Sequence, residues 1–156
     1  MNPLAARSKN YDTSAAFEFA ARARFLDGEI LAADNRRAGA IMMYGYAVEM
    51  WLKVAILRVK SVPATTRFSK PKDLRKRLGV NNLHDIGQLA AELSSERKRQ
   101  NAPLLPHDRA ALTNHSARLQ GLRVVEMRYK RIYVKTFEIH NARLAAAWFN
   151  ENHAIL

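Results

Sequence analysis

The chain has 156 residues, no cysteine and a formal net charge of +12. That length fits one domain, and the missing cysteine excludes disulfides, thiolate metal sites and a cysteine nucleophile. A sequence pI near 10.5 makes a polyanion the first partner class to consider, ahead of basic ligands.

The opening MNPLAARSKNYDTS has no apolar run of the kind a secretory signal needs. The first helix is expected to start at Asp12-Thr13-Ser14, any of which can cap. Phe19, Ala23, Leu26, Ile30 and Ala33 then recur at alternating spacings of four and three, which predicts the buried stripe of that helix. Asp34-Asn35 marks a turn, and a second helix is expected over Arg36 to Lys60.

Residues 38–57 of that second helix read AGAIMMYGYAVEMWLKVAIL, with only Glu49 and Lys53 charged. About twenty apolar residues would span a bilayer, but each charge near its centre costs about 2.5–3.5 kcal/mol. Gly45, Glu49 and Lys53 are spaced by four and form one narrow stripe, so the segment reads as the central helix of a bundle rather than a membrane span. The stripe is expected to be wet, with Glu49 and Lys53 an exposed pair worth a few tenths of a kcal/mol and Met50, Trp51 and Val54 buried.

Residues 61–81 hold Pro63, Pro71, Gly79 and Asn81-Asn82, which predicts mainly loop with a short helical turn at Asp73–Leu78. Asn82 is the expected cap of the next helix, with Asp85 in its first turn and Leu83, Ile86, Ala90 and Leu93 as its buried face. That helix ends in the run Glu96-Arg97-Lys98-Arg99. Pro103 and Pro106 bound a connector, and Asp108 can cap a helix whose apolar row is Leu112, Leu119 and Leu122. VVEMRYKRIYV, from Val124 to Val134, could be extended or helical. The last helix is expected from about Thr136, with one stripe of Ile139, Ala142, Ala146 and Phe149 and another of Phe137, Leu144 and Trp148. No stretch sustains a strand alternation. The fold class is all-α, a single domain over 1–156 with its core at 14–150.

The basic charge is localised. Residues 58–77 carry eight Lys/Arg against Asp73, and residues 97–135 carry ten against Asp108 and Glu126. Arg128, Tyr129, Lys130 and Arg131 interleave cations with an aromatic ring, a pattern suited to stacking bases and neutralising phosphates.

Three short patterns resemble the HEPN family (higher eukaryotes and prokaryotes nucleotide-binding). Tyr46-Ala47-Val48-Glu49 followed by Leu52-Lys53 looks like its long second helix. Leu83-His84-Asp85-Ile86 followed by Leu89-Ala90 looks like the opening of its third, and Arg128-Tyr129 resembles a dipeptide frequent in one bacterial branch. The resemblance covers about residues 14–150. It implies an up-and-down bundle of four to five helices, commonly a homodimer, acting in the cytoplasm on RNA or a nucleotide. Glu49, Lys53, His84 and Asp85 are then the family-motif residues.

Many members of that family are metal-independent ribonucleases carrying an arginine, four to six residues, then a histidine. His can move the proton of a ribose 2′-OH and Arg can stabilise the phosphorane. Arg109-AALTN-His115 has that spacing, as does Arg77-LGVNNL-His84 across a loop-to-helix junction. Six helical steps leave Arg109 and His115 about 120° apart, and His115 lies between Leu112 and Leu119 like a core or interface residue. No Gly-rich phosphate loop, nucleophile elbow or metal-ligand set is recognisable, and no cofactor is expected. The reading is a non-catalytic RNA- or nucleotide-binding bundle. The alternatives are a ribonuclease toxin with an acidic or nucleotidyltransferase-like antitoxin partner, and a protein-interaction module for an acidic partner.

Overall fold

Thr13 opens the first helix, its Oγ1 accepting a hydrogen bond from the Ala16 amide at 3.1 Å. In the computed structural model, which describes residues 13–122 and 133–156, six helices and no strand are found among the described residues. They are α1 (Ser14–Ala33), α2 (Arg37–Val59), α3 (Pro71–Leu78), α4 (Ile86–Arg99), α5 (Pro106–Gly121) and α6 (Thr136–Asn152). Arg128, Tyr129, Lys130 and Arg131, with all but the last two residues of VVEMRYKRIYV, lie outside the described residues.

The stops are written in turn chemistry. Asn35, Ser61 and Asn101 take left-handed backbone angles just after α1, α2 and α4. Gly79, at φ +81, ends α3 in the same way and without the Cβ penalty. Pro71 and Pro106 stand at the first turns of α3 and α5, where a missing N–H costs nothing. Two expected caps move. Asp85, not Asn82, caps α4 by accepting from the Gln88 amide at 2.9 Å, while Asn82 Oδ1 accepts from the His84 amide. Asp108 sits inside the first turn of α5, which starts at Pro106 without a side-chain cap.

α2 is the hub. It packs on α1, α4, α6 and the short α3, and the ring closes through α4 on α5, α5 on α6, and α6 on α1. The three-residue connection between α1 and α2 forces them antiparallel, as in an up-and-down bundle. Ile41, Tyr44, Trp51, Leu52, Ile56 and Leu57 of α2 are fully buried, against Leu89 and Leu93 of α4, Leu112 and Leu119 of α5 and Phe149 of α6. Among the described residues α2 is also the one helix long and apolar enough to cross a membrane, and 78% of its apolar window is buried inside the fold. Such burial is what a core helix needs.

One apolar stripe faces the other way from the sequence expectation. On α1, Phe19 (78% exposed), Leu26 (60%) and Ile30 (62%) look outward, while Phe17, Ala21 and Gly28 are buried. The physical reason is close approach. Gly28 lets the Tyr44 ring of α2 lie where a Cβ would stand only 2.6 Å from Cε1. On α6 the stripe of Ala142, Ala146 and Phe149 is buried and Ile139 half-buried, whereas Phe137 and Leu144 are exposed and Trp148 is half-buried. Tyr44 cannot swing away, because it is fully buried and its hydroxyl donates to Glu29 Oε1 at 2.6 Å. Gly28→Ala is therefore expected to cost about 1–3 kcal/mol by overpacking, despite the better helix propensity of alanine. A urea melt of the variant checks this, and a gain in stability would contradict the close approach.

Candidate functional site

Glu49 and Lys53 are not on a wet edge. They are 6% and 5% exposed, and Lys53 Nζ donates to Glu49 Oε1 at 2.5 Å. The expectation of an exposed pair is corrected: the His84 turn before α4 closes on Glu49, and the Lys53 ammonium stands 5.9 Å from the centre of the Phe17 ring of α1. The second carboxylate oxygen, Oε2, lies 3.1 Å from His84 Nδ1. An ionised carboxylate only accepts, so Nδ1 carries the proton and donates. His84 is itself exposed and stands in the turn before α4, held there by the bond from its own amide to Asn82. Helix α2 thus supplies a buried acid, and the α3–α4 connection supplies the imidazole that covers it.

The hydrogen bond from His84 to Glu49 raises the histidine pKa, and partial burial opposes that rise less strongly. For His115 the order is reversed: burial, then the charge of Arg118, lowers it. The two histidines therefore give opposite pH signatures. The His84 contribution is complete below the unfolded histidine pKa of about 6.5 and is lost as pH rises through the raised folded value. The His115 contribution is complete above about 6.5 and is lost as pH falls towards the depressed folded value. Thermal melts across pH should show His84→Gln narrowing its gap from the wild type at alkaline pH, and His115→Gln narrowing its gap at acid pH. Parallel curves would contradict both assignments.

His115 does not meet Arg109. The ring of His115 stacks on Trp148 of α6, with centroids 5.1 Å apart and planes 20° apart, and its Nδ1 is buried without a hydrogen-bond partner. Arg109 is exposed at the start of α5, where its carbonyl accepts from Thr113 Oγ1. No described hydrogen bond or ion pair joins the two side chains. Arg77 and His84, the other spacing match, also part: Arg77 lines a cavity beside α3, while His84 turns to Glu49. Asp85, the neighbouring motif residue, is spent on the α4 cap.

That cavity, of about 600 Å³, is walled by Lys60, Thr66, Arg67, Phe68, Asp73, Lys76 and Arg77. Phe68 is buried and seats the connecting loop, so the cations around it project from a fixed base. Lys60 is already engaged, donating to Glu92 Oε1 at 3.0 Å and to the Leu78 carbonyl at 2.9 Å. Arg67, Lys76 and Arg77 are exposed and make no ion pair with any described residue. A second cavity of about 300 Å³, lined by Lys72, Arg75, Lys76, Gly79, Val80 and Asn81, shares Lys76 with the first. The sequence showed this segment to be basic. It did not show Thr66 and Phe68 as part of a recess, and a lone phenylalanine in a polar loop was the available signal.

A further cluster escaped the sequence altogether. Arg143 of α6 grips Glu29 of α1 with Nη2 at 2.6 Å and Nε at 2.9 Å, and Tyr44 donates to the same carboxylate. Arg143 first, and Tyr44 as well, hold the Glu29 pKa below the usual carboxylate range against partial burial; burial is the main cause that pushes the Tyr44 pKa up. The cluster ties α1 to α6 across 114 positions of sequence.

Among the described residues, no group of three or more His, Cys, Asp or Glu side chains could hold a metal ion. The fold and the site define an all-helical bundle with a basic recess beside a short helix. Searches found no family model, curated protein or solved structure that matches the chain.

Proposed function

We propose that this protein binds RNA, or another nucleotide polyanion, through the basic face around α3, and that it acts as a binding module rather than a catalyst. One observation carries the reading. Arg67, Lys70, Lys72, Arg75, Lys76 and Arg77 are all exposed, and none forms an ion pair with a described residue. Several acidic groups elsewhere are consumed in pairs within the fold, such as Glu18 with Arg22 and Glu29 with Arg143. Six cations so close together repel one another until an anion lies among them. The resemblance to the HEPN family points the same way, and a cytoplasmic homodimer independent of a membrane belongs to this reading.

His115 supports the non-catalytic form. Its ring is packed on Trp148 and its Nδ1 is buried, so it serves α5–α6 packing better than proton transfer with Arg109. RNA should therefore survive incubation with the protein and a chelator. Chelator-resistant cleavage that disappears in a stable His115→Ala variant would reinstate the ribonuclease-toxin reading and its antitoxin partner.

Salt dependence tests the binding itself. Log affinity for single-stranded RNA should fall linearly with log salt, and Lys72→Ala with Arg75→Ala should flatten the slope by about 0.7 per lost phosphate contact. Affinity indifferent to salt would count against the reading. It would point instead to apolar protein recognition, which the exposed Phe19, Leu26 and Ile30 of α1 support.

A further inference from the structure

The recess beside α3 has a shape and a charge that an open phosphate-binding surface does not need. Its volume of about 600 Å³ is that of a small-molecule site rather than a groove for a duplex. One nucleotide unit fits within that scale. Charge narrows the occupant further. Lys60 is largely neutralised, with Glu92 at 3.0 Å and Glu96 at 3.8 Å. Arg67, Lys76 and Arg77 then face the single carboxylate of Asp73, which lies within reach of Ser69 Oγ at 3.4 Å. The surplus is two positive charges. An internal phosphodiester supplies one negative charge, whereas a phosphate monoester supplies about 1.5–2 near neutral pH and offers three acceptor oxygens. Arginine suits such a group because its planar fork pairs with two phosphate oxygens at once. The smaller cavity adds a direction. It adjoins through Lys76 and brings Lys72 and Arg75 to the other side of that side chain.

Resting on the binding reading above, we infer that the larger cavity takes the terminal phosphate monoester of a single nucleic-acid strand. The smaller cavity takes the phosphodiester that follows it. The protein is then a reader of phosphorylated strand ends, with α3 as the ridge between two successive phosphate sites. Phe68 fixes the floor of the first site, and Lys76 belongs to both.

The test compares short single-stranded RNAs of one sequence, labelled internally, with a 5′-phosphate, a 3′-phosphate or hydroxyls at both ends. Binding is read by fluorescence anisotropy on the full chain. A phosphorylated end should bind about tenfold more tightly than the hydroxyl form, the size of one added charge-assisted hydrogen bond. The two phosphorylated arms identify which end supplies the group. Arg67→Gln with Arg77→Gln should abolish that ratio, so that the phosphorylated strands bind no more tightly than the hydroxyl strand to the same variant, with the melting temperature unchanged, since both side chains are exposed. Lys98→Gln with Arg118→Gln, which removes two exposed charges outside both cavities, should keep the ratio. Equal affinity for all three strands in the wild type would overturn the inference and leave polyanion binding standing. A ratio that persists in the arginine variant would overturn the cavity as its source. If none of the strands binds, the binding reading fails and this inference falls with it.

Discussion

Lys53→Met is expected to lower stability by about 3–5 kcal/mol, the cost of breaking a buried ion pair by removing one partner. Methionine keeps most of the lysine volume, so packing is nearly conserved and the loss reports on charge. What is left behind is Glu49, 6% exposed, with His84 as its remaining described partner. A partner at the surface cannot replace an ammonium group held within the core at 2.5 Å. Removing both charges tells the pair from its surroundings. Glu49→Met with Lys53→Met should restore much of the loss, because a well-packed apolar replacement of a buried pair is often neutral or stabilising by about 1–4 kcal/mol. Denaturant melts of the two single variants and the double variant complete the cycle. A loss below about 1 kcal/mol for Lys53→Met would match an exposed pair and would mean that this stripe is not covered in solution.

The same stripe shows where sequence reasoning stops. Spacing by four placed Gly45, Glu49 and Lys53 on one face, and that much is geometry of the helix alone. Whether the face is covered depends on segments more than thirty positions away, the His84 turn and Phe17 of α1, which periodicity within α2 cannot sense. α1 fails for a related reason. It carries two apolar rows, and hydrophobicity favours the one with Phe19, Leu26 and Ile30. Packing chose the row with Ala21 and Gly28, because small residues let α1 approach the Tyr44 ring. Local signals fared better where the physics is local. Pro71 and Gly79 bound the short α3, and His115, which lies between Leu112 and Leu119 in the apolar row, stacks on Trp148. The basic segment was legible as charge but not as a recess, since its walls come from α2, the connecting loop and α3 together.

Trp51→Ala is the second large effect, expected at about 3–5 kcal/mol, as for a buried aromatic cut back to a methyl group. Trp51 is fully buried at the centre of α2, and its ring meets Phe25 of α1 at 6.0 Å and stacks on His153 at 5.6 Å with planes 20° apart. The cavity left behind would therefore open between three separate parts of the chain, which have no common motion by which to close it. The residues just after α6 should feel it most. They are held by Arg58, which donates to the carbonyls of His153 and Ala154 at 3.1 and 3.2 Å, and by the stack on Trp51 itself. With the indole gone, that turn keeps Arg58, which is exposed, and the bond from Arg97 to the Leu156 carbonyl, but loses its packing against the core of α2. The amides of His153 and Ile155, which donate to Phe149 and Asn152, should then lose hydrogen-exchange protection before those of α2. Trp51→Phe separates volume from polarity. The indole Nε1 is buried without a hydrogen-bond partner, so phenylalanine removes an unsatisfied donor while keeping an aromatic ring against Phe25 and His153. Its loss in a urea melt should be less than half that of the alanine variant. Equal losses would mean that the indole nitrogen is satisfied in solution, and a Trp51→Ala loss under about 1 kcal/mol would remove Trp51 from the core.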